Sequence, residues 1–220
     1  MSDLAIELNI ALLPSAALSR QLVAISGEFA GRYRAVVRLG DGDSRLAIAP
    51  HLTLYQVSVP LAALAELHAG LREIARSGRP AELMCKELAY NEGEASLEAR
   101  TDAPDELADL QRAVIALANP MRGGLLLERD PAGNRVADLT AAGGPLGANI
   151  RDTGYAEVGE LFRPHYTLNW FEAGTRLEAG DMECAADPVS LTGRYTALGM
   201  FALGPYGTCP QLLARYDFGA

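Results

Sequence analysis

The residues best suited to chemistry in this chain come as one pattern used twice, Pro50-His51-Leu52-Thr53-Leu54 and Pro164-His165-Tyr166-Thr167-Leu168. The two copies use two of the three histidines and lie 114 positions apart (165 minus 51). On a strand, a His and a Thr two residues apart project from one face, and the residues between and after them project from the other. Each copy is thus expected to bury Leu52 and Leu54, or Tyr166 and Leu168, and to offer an imidazole and a hydroxyl to a cleft. Two such strands face to face would place a phosphodiester between His51 and His165. One imidazole would take a proton from the attacking water or hydroxyl, and the other would give a proton to the leaving oxygen. With an ordinary pKa near 6.5, imidazole can do either at neutral pH. The hydroxyls of Thr53 and Thr167 would donate to the non-bridging oxygens as charge builds there. The sequence offers no metal-ligand spacing, and this acid–base pair needs no metal or other cofactor.

Extending the same alternation brings in Tyr55 beyond Thr53, and Asn169 and Phe171 beyond Thr167, as candidate substrate contacts, with packing the preferred reading for Tyr55 and Phe171 because strand ends also twist out of a cleft. Arg163, next to Pro164, can meet a phosphate or make a surface ion pair. Tyr206, in Gly204-Pro205-Tyr206-Gly207, is exposed on a tight turn where it can stack on substrate or pack against the turn. His68 falls in a helical pattern and reads as a helix residue rather than a third catalytic group.

The elements that must hold these residues are strands and helices in both halves of the chain. Leu4 to Leu13 has the apolar content of a strand; Pro14 ends it, and Ser15 caps a helix to about Ala30. Arg32 to Leu39 alternates as a strand, Gly40-Asp41-Gly42-Asp43 is a turn, and Leu46 to Val59 is the strand of the first motif. Leu61 to Ser77 is helical, with Leu61, Leu64, Leu67, Leu71 and Ile74 at three-to-four spacing. Glu82 to Tyr90 and Ala95 to Thr101 form a hairpin, and Asp105 to Ala118 a helix with Leu107, Leu110, Val114 and Leu117 on one side. From 119 to 148 the chain is rich in Gly and Pro, a long connection that can act as a flap. A short helix around Gly154 to Leu161 precedes the second motif, and Leu191 to Leu203 and Gln211 to Phe218 are strands. The class is α+β. The repeated motif predicts two pseudo-symmetric lobes around a central cleft, within one domain spanning 1–220.

Composition narrows the partners. At 220 residues, 49% hydrophobic and 21% charged, the chain reads as an ordinary globular protein. It has no apolar run of membrane-spanning length and no secretory leader, so the expected location is the cytoplasm. A net charge of −9 argues against a long nucleic-acid tract and leaves a small nucleotide or an RNA end as the partner. Cys85, Cys184 and Cys209 are scattered, which predicts no disulfide. No nucleophile elbow, P-loop or dinucleotide fingerprint is present, and Asp41-Gly42-Asp43 lacks the other ligands of a calcium loop.

The paired Pro-His-φ-Thr-Leu segments resemble the 2H phosphoesterase superfamily, whose bacterial members include those called 2′-5′ RNA ligases or RNA 2′,3′-cyclic phosphodiesterases. Ile6 through Pro14 is similar to that family's opening strand and turn, Phe162 through Leu168 to its approach to the second motif, and Leu198 through Gly207 to its late strand and glycine turn. The resemblance implies a bilobal α+β fold, catalytic roles for His51 and His165, and phosphate-binding roles for Thr53 and Thr167. Its activity would be phosphodiester hydrolysis on 2′,3′-cyclic or 2′-5′-linked nucleotides or short RNA ends, or ligation in reverse. The chain departs from the ligase-like branch in lacking a basic cast and in carrying the long 119–148 segment. An idle nucleotide- or phosphate-binding module, or a phosphoesterase for a non-nucleotide cyclic phosphate, are the competing expectations.

Overall fold

A computed structural model describes residues 4–40, 47–178, 180–182 and 191–219. The turn expected at Asp41-Gly42-Asp43, and Cys184, lie outside the described residues. Strands β1 (Ala5–Pro14), β4 (Leu52–Pro60), β9 (Gly193–Ala202) and β10 (Gln211–Asp217) form one sheet in the order β10-β9-β1-β4, with β5 (Ala81–Leu83) also pairing β9. The second sheet runs β3 (Ala47–Ile48), β2 (Ala35–Leu39), β8 (His165–Phe171), β7 (Ser96–Thr101) and β6 (Cys85–Asn91). Every pairing is antiparallel except β2 with β3. Each sheet thus holds one motif strand, β4 or β8. The expected duplication does not follow the halves of the chain, however: both sheets draw strands from before and after residue 110.

Helix α1 (Ala16–Arg32) begins where expected, with Ser15 Oγ accepting from the Leu18 N–H at 3.3 Å. Its buried face, Leu18, Leu22, Ile25, Ser26 and Phe29, recurs every three to four residues and packs on β2 and β8. Helix α2 (Leu64–Ser77) follows a short 3₁₀ turn at Leu61–Ala63, and α3 (Asp105–Ala118) packs on α2 and β4. One continuous apolar cluster joins these helices to both sheets; Leu52, Leu54, Tyr166 and Leu168, the residues expected to face inward, all belong to it. Burying a side chain of this size contributes about 2 kcal/mol. A one-residue slip would turn all four outward, so the core fixes which way His51, Thr53, His165 and Thr167 point.

Several element boundaries differ from the sequence reading. Leu46 to Val59 is not one strand: Pro50 has no N–H to give a ladder, and the chain breaks there into β3 and β4. The strand expected at Glu82 to Tyr90 divides at Met84, with β5 joining the first sheet and β6 the second. The segment 119–148 is partly irregular, as expected, and also contains a 3₁₀ turn at Pro120–Arg122, helix α4 (Val136–Ala142) and the first half of α5 (Gly144–Thr153), with α4 and α5 broken at Gly143, φ 77°. Of the short helix expected around Gly154 to Leu161, a 3₁₀ turn forms at Gly159–Leu161; α5 lies before it and ends at Gly154, φ 80°.

Candidate active site

Both motifs open onto one cleft of about 470 Å³, lined by His51, Thr53, His165 and Thr167. The two imidazoles are held by the same device. His51 Nδ1 lies 2.9 Å from the carbonyl of Ala49, and His165 Nδ1 lies 2.7 Å from the carbonyl of Arg163, each two residues upstream. A carbonyl oxygen only accepts, so Nδ1 carries the hydrogen and donates in both rings. Nε2 is left as the atom available for proton transfer on each ring. His51 is buried, with its ring 5.8 Å from that of Phe201. Burial pushes its pKa below 6.5, against the opposing effect of the Ala49 carbonyl, and the facing charge of His165 lowers it further. Neutral His51 therefore presents a lone pair to the cleft at neutral pH.

Thr53 Oγ1 accepts from Asn9 Nδ2 at 2.9 Å, which leaves its own hydroxyl hydrogen free to donate. Asn9 is fully buried on β1. The sequence analysis does not single it out; the available signal is a polar residue inside an otherwise apolar strand.

The alternation of each motif strand is broken just after its threonine. Ala11 pairs with Thr53 and Ile10 with Tyr55, so Leu54 is an extra residue, a β-bulge. On β8, Glu98 pairs with Thr167 and Leu97 with Asn169, so Leu168 is the bulged residue there. Both bulges use a buried polar side chain from a helix to satisfy the displaced carbonyl. Gln111 Nε2 on α3 donates to Leu54 O at 3.0 Å, and Ser26 Oγ on α1 donates to Leu168 O at 2.8 Å. Each bulge inverts the facing of everything after it.

That inversion decides the three candidate substrate contacts: it gives Tyr55 and Phe171 the packing role expected of them, and it corrects Asn169. Tyr55 is fully buried and donates its hydroxyl to the Thr153 carbonyl; burial raises its pKa well above the usual tyrosine range. Asn169 is fully buried, with Nδ2 donating to the Ser26 carbonyl at 3.2 Å. Phe171 packs edge-on against Tyr33 and Tyr90 in the core. None of the three lines the cleft. Their places are taken by Gln56 and Trp170, which share the 114-residue offset of the motifs and which the period-two reading missed.

Arg163 and Tyr206 do line the cleft. Arg163 pairs with Glu157 at 2.8 Å, and that hydrogen bond raises its pKa, with Glu98 and Glu94 adding to the effect. Tyr206 is 44% exposed, and its ring sits 5.3 Å from that of Trp170. His68 lies apart, on α2, with Nδ1 at 2.5 Å from the Tyr216 hydroxyl. The 119–148 segment supplies a wall through Leu127, Pro131, Val136, Leu139 and Leu146. Among the described residues, no three His, Cys, Asp or Glu side chains converge as ligands for a metal ion. Nor does any helix among them have the length and apolarity to cross a membrane.

Comparison with solved structures finds the same architecture over the full length of the chain. The TT0787 protein of Thermus thermophilus superposes with a TM-score of 0.63 at 17% identity, over 98% of this chain and 99% of that one. LigT of E. coli in its apo form gives a TM-score of 0.58 at 13% identity, over 98% and 99%. A structure described as a phosphoesterase gives 0.57 at 14% identity, over 99% and 100%. The chain shares the fold of these three proteins. The segment that the sequence reading set apart lines the cleft, in part through α4 and the first half of α5. No protein-family model matches the sequence, and no curated protein does either.

Proposed function

We propose that the protein is a metal-independent phosphoesterase that opens 2′,3′-cyclic or 2′-5′-linked nucleotides by acid–base catalysis between His51 and His165. The observation that carries this is the pair of imidazoles on one cleft, each with Nδ1 donating to the carbonyl two residues upstream and Nε2 free. In this reading neutral His51 takes a proton from water as the water oxygen bonds to phosphorus. The bond from phosphorus to the 2′ or 3′ oxygen breaks, and His165 protonates that oxygen. Thr53 and Thr167 donate to the non-bridging oxygens, whose charge rises in the transition state. Desolvation suits His51 to the base role, because an imidazolium is disfavoured there.

The shared fold supports the class of chemistry, and the ligands of E. coli LigT support its scale: that protein has been crystallised with phosphate, 3′-AMP, ATP and NADP⁺. The test is turnover of adenosine 2′,3′-cyclic phosphate in the presence of EDTA, followed by product release and by calorimetry. Ring opening to a phosphate monoester at an undiminished rate with chelator is expected. Tight binding without turnover would instead make the protein a binding module, and loss of turnover on chelation would overturn the metal-free mechanism.

A further inference from the structure

The cleft holds more negative charge than an anionic substrate calls for. Glu94, Glu98, Asp130, Glu157 and Glu160 line it together with the two histidines. Among the described residues, Arg163 is the one guanidinium lining it, and Glu157 already engages that group at 2.8 Å. Glu98 is paired with Arg100 at 3.1 Å, which leaves Glu94, Asp130 and Glu160 with no arginine partner among the described residues. The effect is felt within the site: burial and the neighbouring carboxylates of Glu98, Asp130 and Glu157 push the Glu94 carboxyl upward.

A second, independent observation lies at the positions that the bulges turn into the cleft. Gln56 and Trp170 line the cleft at 2% and 5% exposure, and among the described residues Gln56 Oε1 and Trp170 Nε1, both buried, have no hydrogen-bond partner. Buried polar groups are nearly always paired, so an acceptor and a donor left unpaired on residues that line one cleft call for a ligand or water that completes them. Over them sits Tyr206, held at φ 59° in a backbone region costly for any residue with a side chain, with its ring tilted against Trp170. Gly207 follows, at φ 66°, a conformation that favours glycine, and a Cβ there would crowd Gln56 Nε2 and Pro131 at 3.1 Å, so glycine suits the close approach of the turn to Gln56.

We propose that this end of the cleft receives one planar, hydrogen-bonding heterocycle, and that the surrounding carboxylates exclude any phosphate beyond the one at the histidines. The substrate class is then a nucleoside cyclic monophosphate with a free 5′ hydroxyl, not a 5′-phosphorylated nucleotide or the end of an RNA chain. This rests on the phosphoesterase reading above and narrows it. Because the exclusion is electrostatic, it weakens as the Debye length falls from about 30 Å at 0.01 M salt to about 8 Å at 0.15 M.

The test compares kcat/KM of the full chain on three substrates: adenosine 2′,3′-cyclic phosphate, the same compound with a 5′ phosphate, and glycerol 1,2-cyclic phosphate, which has no base. At about 0.01 M salt the 5′ phosphate is expected to lower kcat/KM by about tenfold or more. The gap should narrow at 0.15 M salt, and again in the Glu94→Gln, Glu160→Gln double variant. The adenosine compound should exceed the glycerol compound by about tenfold or more, an advantage reduced in Tyr206→Ala. Equal rates with and without the 5′ phosphate at low salt would overturn the charge exclusion. Equal rates for adenosine and glycerol compounds would overturn the base subsite. Turnover of none of the three would bring down the phosphoesterase reading, and this inference with it.

Discussion

His51 and Tyr206 are the residues whose surroundings make the sharpest demands. The His51 imidazole is buried, its Nδ1 hydrogen is committed to Ala49, and desolvation lowers its pKa from 6.5. A base with a depressed pKa stays unprotonated at neutral pH and is lost only as pH falls through that lower value. The acidic limb of the kcat/KM profile is therefore expected to have its midpoint below 6.5; a midpoint above that value would contradict the base role of His51. Tyr206 tests a different kind of link. Left-handed backbone costs a non-glycine residue about 1–2 kcal/mol. Tyr206→Gly should thus raise stability by up to about 1 kcal/mol in denaturant unfolding while raising KM, because the shelf over Trp170 is lost. A variant that is less stable with unchanged KM would make Tyr206 a packing residue of the turn.

At the scale of elements, the two bulges decide which side chains the motif strands present. The four motif residues were legible because His-x-Thr lies entirely before the bulge, where period two holds. The facing of Tyr55, Asn169 and Phe171 could not be read from period two because Leu54 and Leu168 look like ordinary strand residues; nothing in a leucine marks an inserted position, as a glycine sometimes does. The supports were equally hidden. Gln111 continues the buried face of Leu107, Val114 and Ala118 on α3, and Ser26 that of Leu22 and Phe29 on α1, so each reads as a polar flaw in an apolar stripe. Gln111 Nε2 also donates to the Glu157 carbonyl at 2.9 Å, tying the Leu54 bulge to the cleft wall. Gln111→Leu leaves both carbonyls without this donor and should cost about 1–3 kcal/mol per unsatisfied group, with a fall in kcat as His51 and Thr53 lose their fixed direction. Ser26→Ala is expected to act likewise through Leu168 on His165 and Thr167. Full kcat in a destabilised Gln111→Leu variant would separate the bulge from catalysis.

For the molecule as a whole, composition and class were readable and connectivity was not. The alternation of helix and strand patterns gave an α+β chain, and the repeat gave one motif per sheet. That the sheets interleave strands from both halves depends on long-range pairing, such as β1 between β4 and β9, which leaves no local mark in the sequence. The net charge of −9 pointed to a small substrate, and the structure concentrates part of that charge around the histidines. The central claim is that two imidazoles from separate sheets act on one phosphodiester as a single unit. Single-turnover opening of adenosine 2′,3′-cyclic phosphate by the wild type, His51→Ala, His165→Ala and the double variant tests it directly. Each single substitution is expected to slow the step by about 10²–10⁴-fold, and the double variant to be little slower than the worse single. A rate within a few-fold of wild type in either single variant would contradict the account.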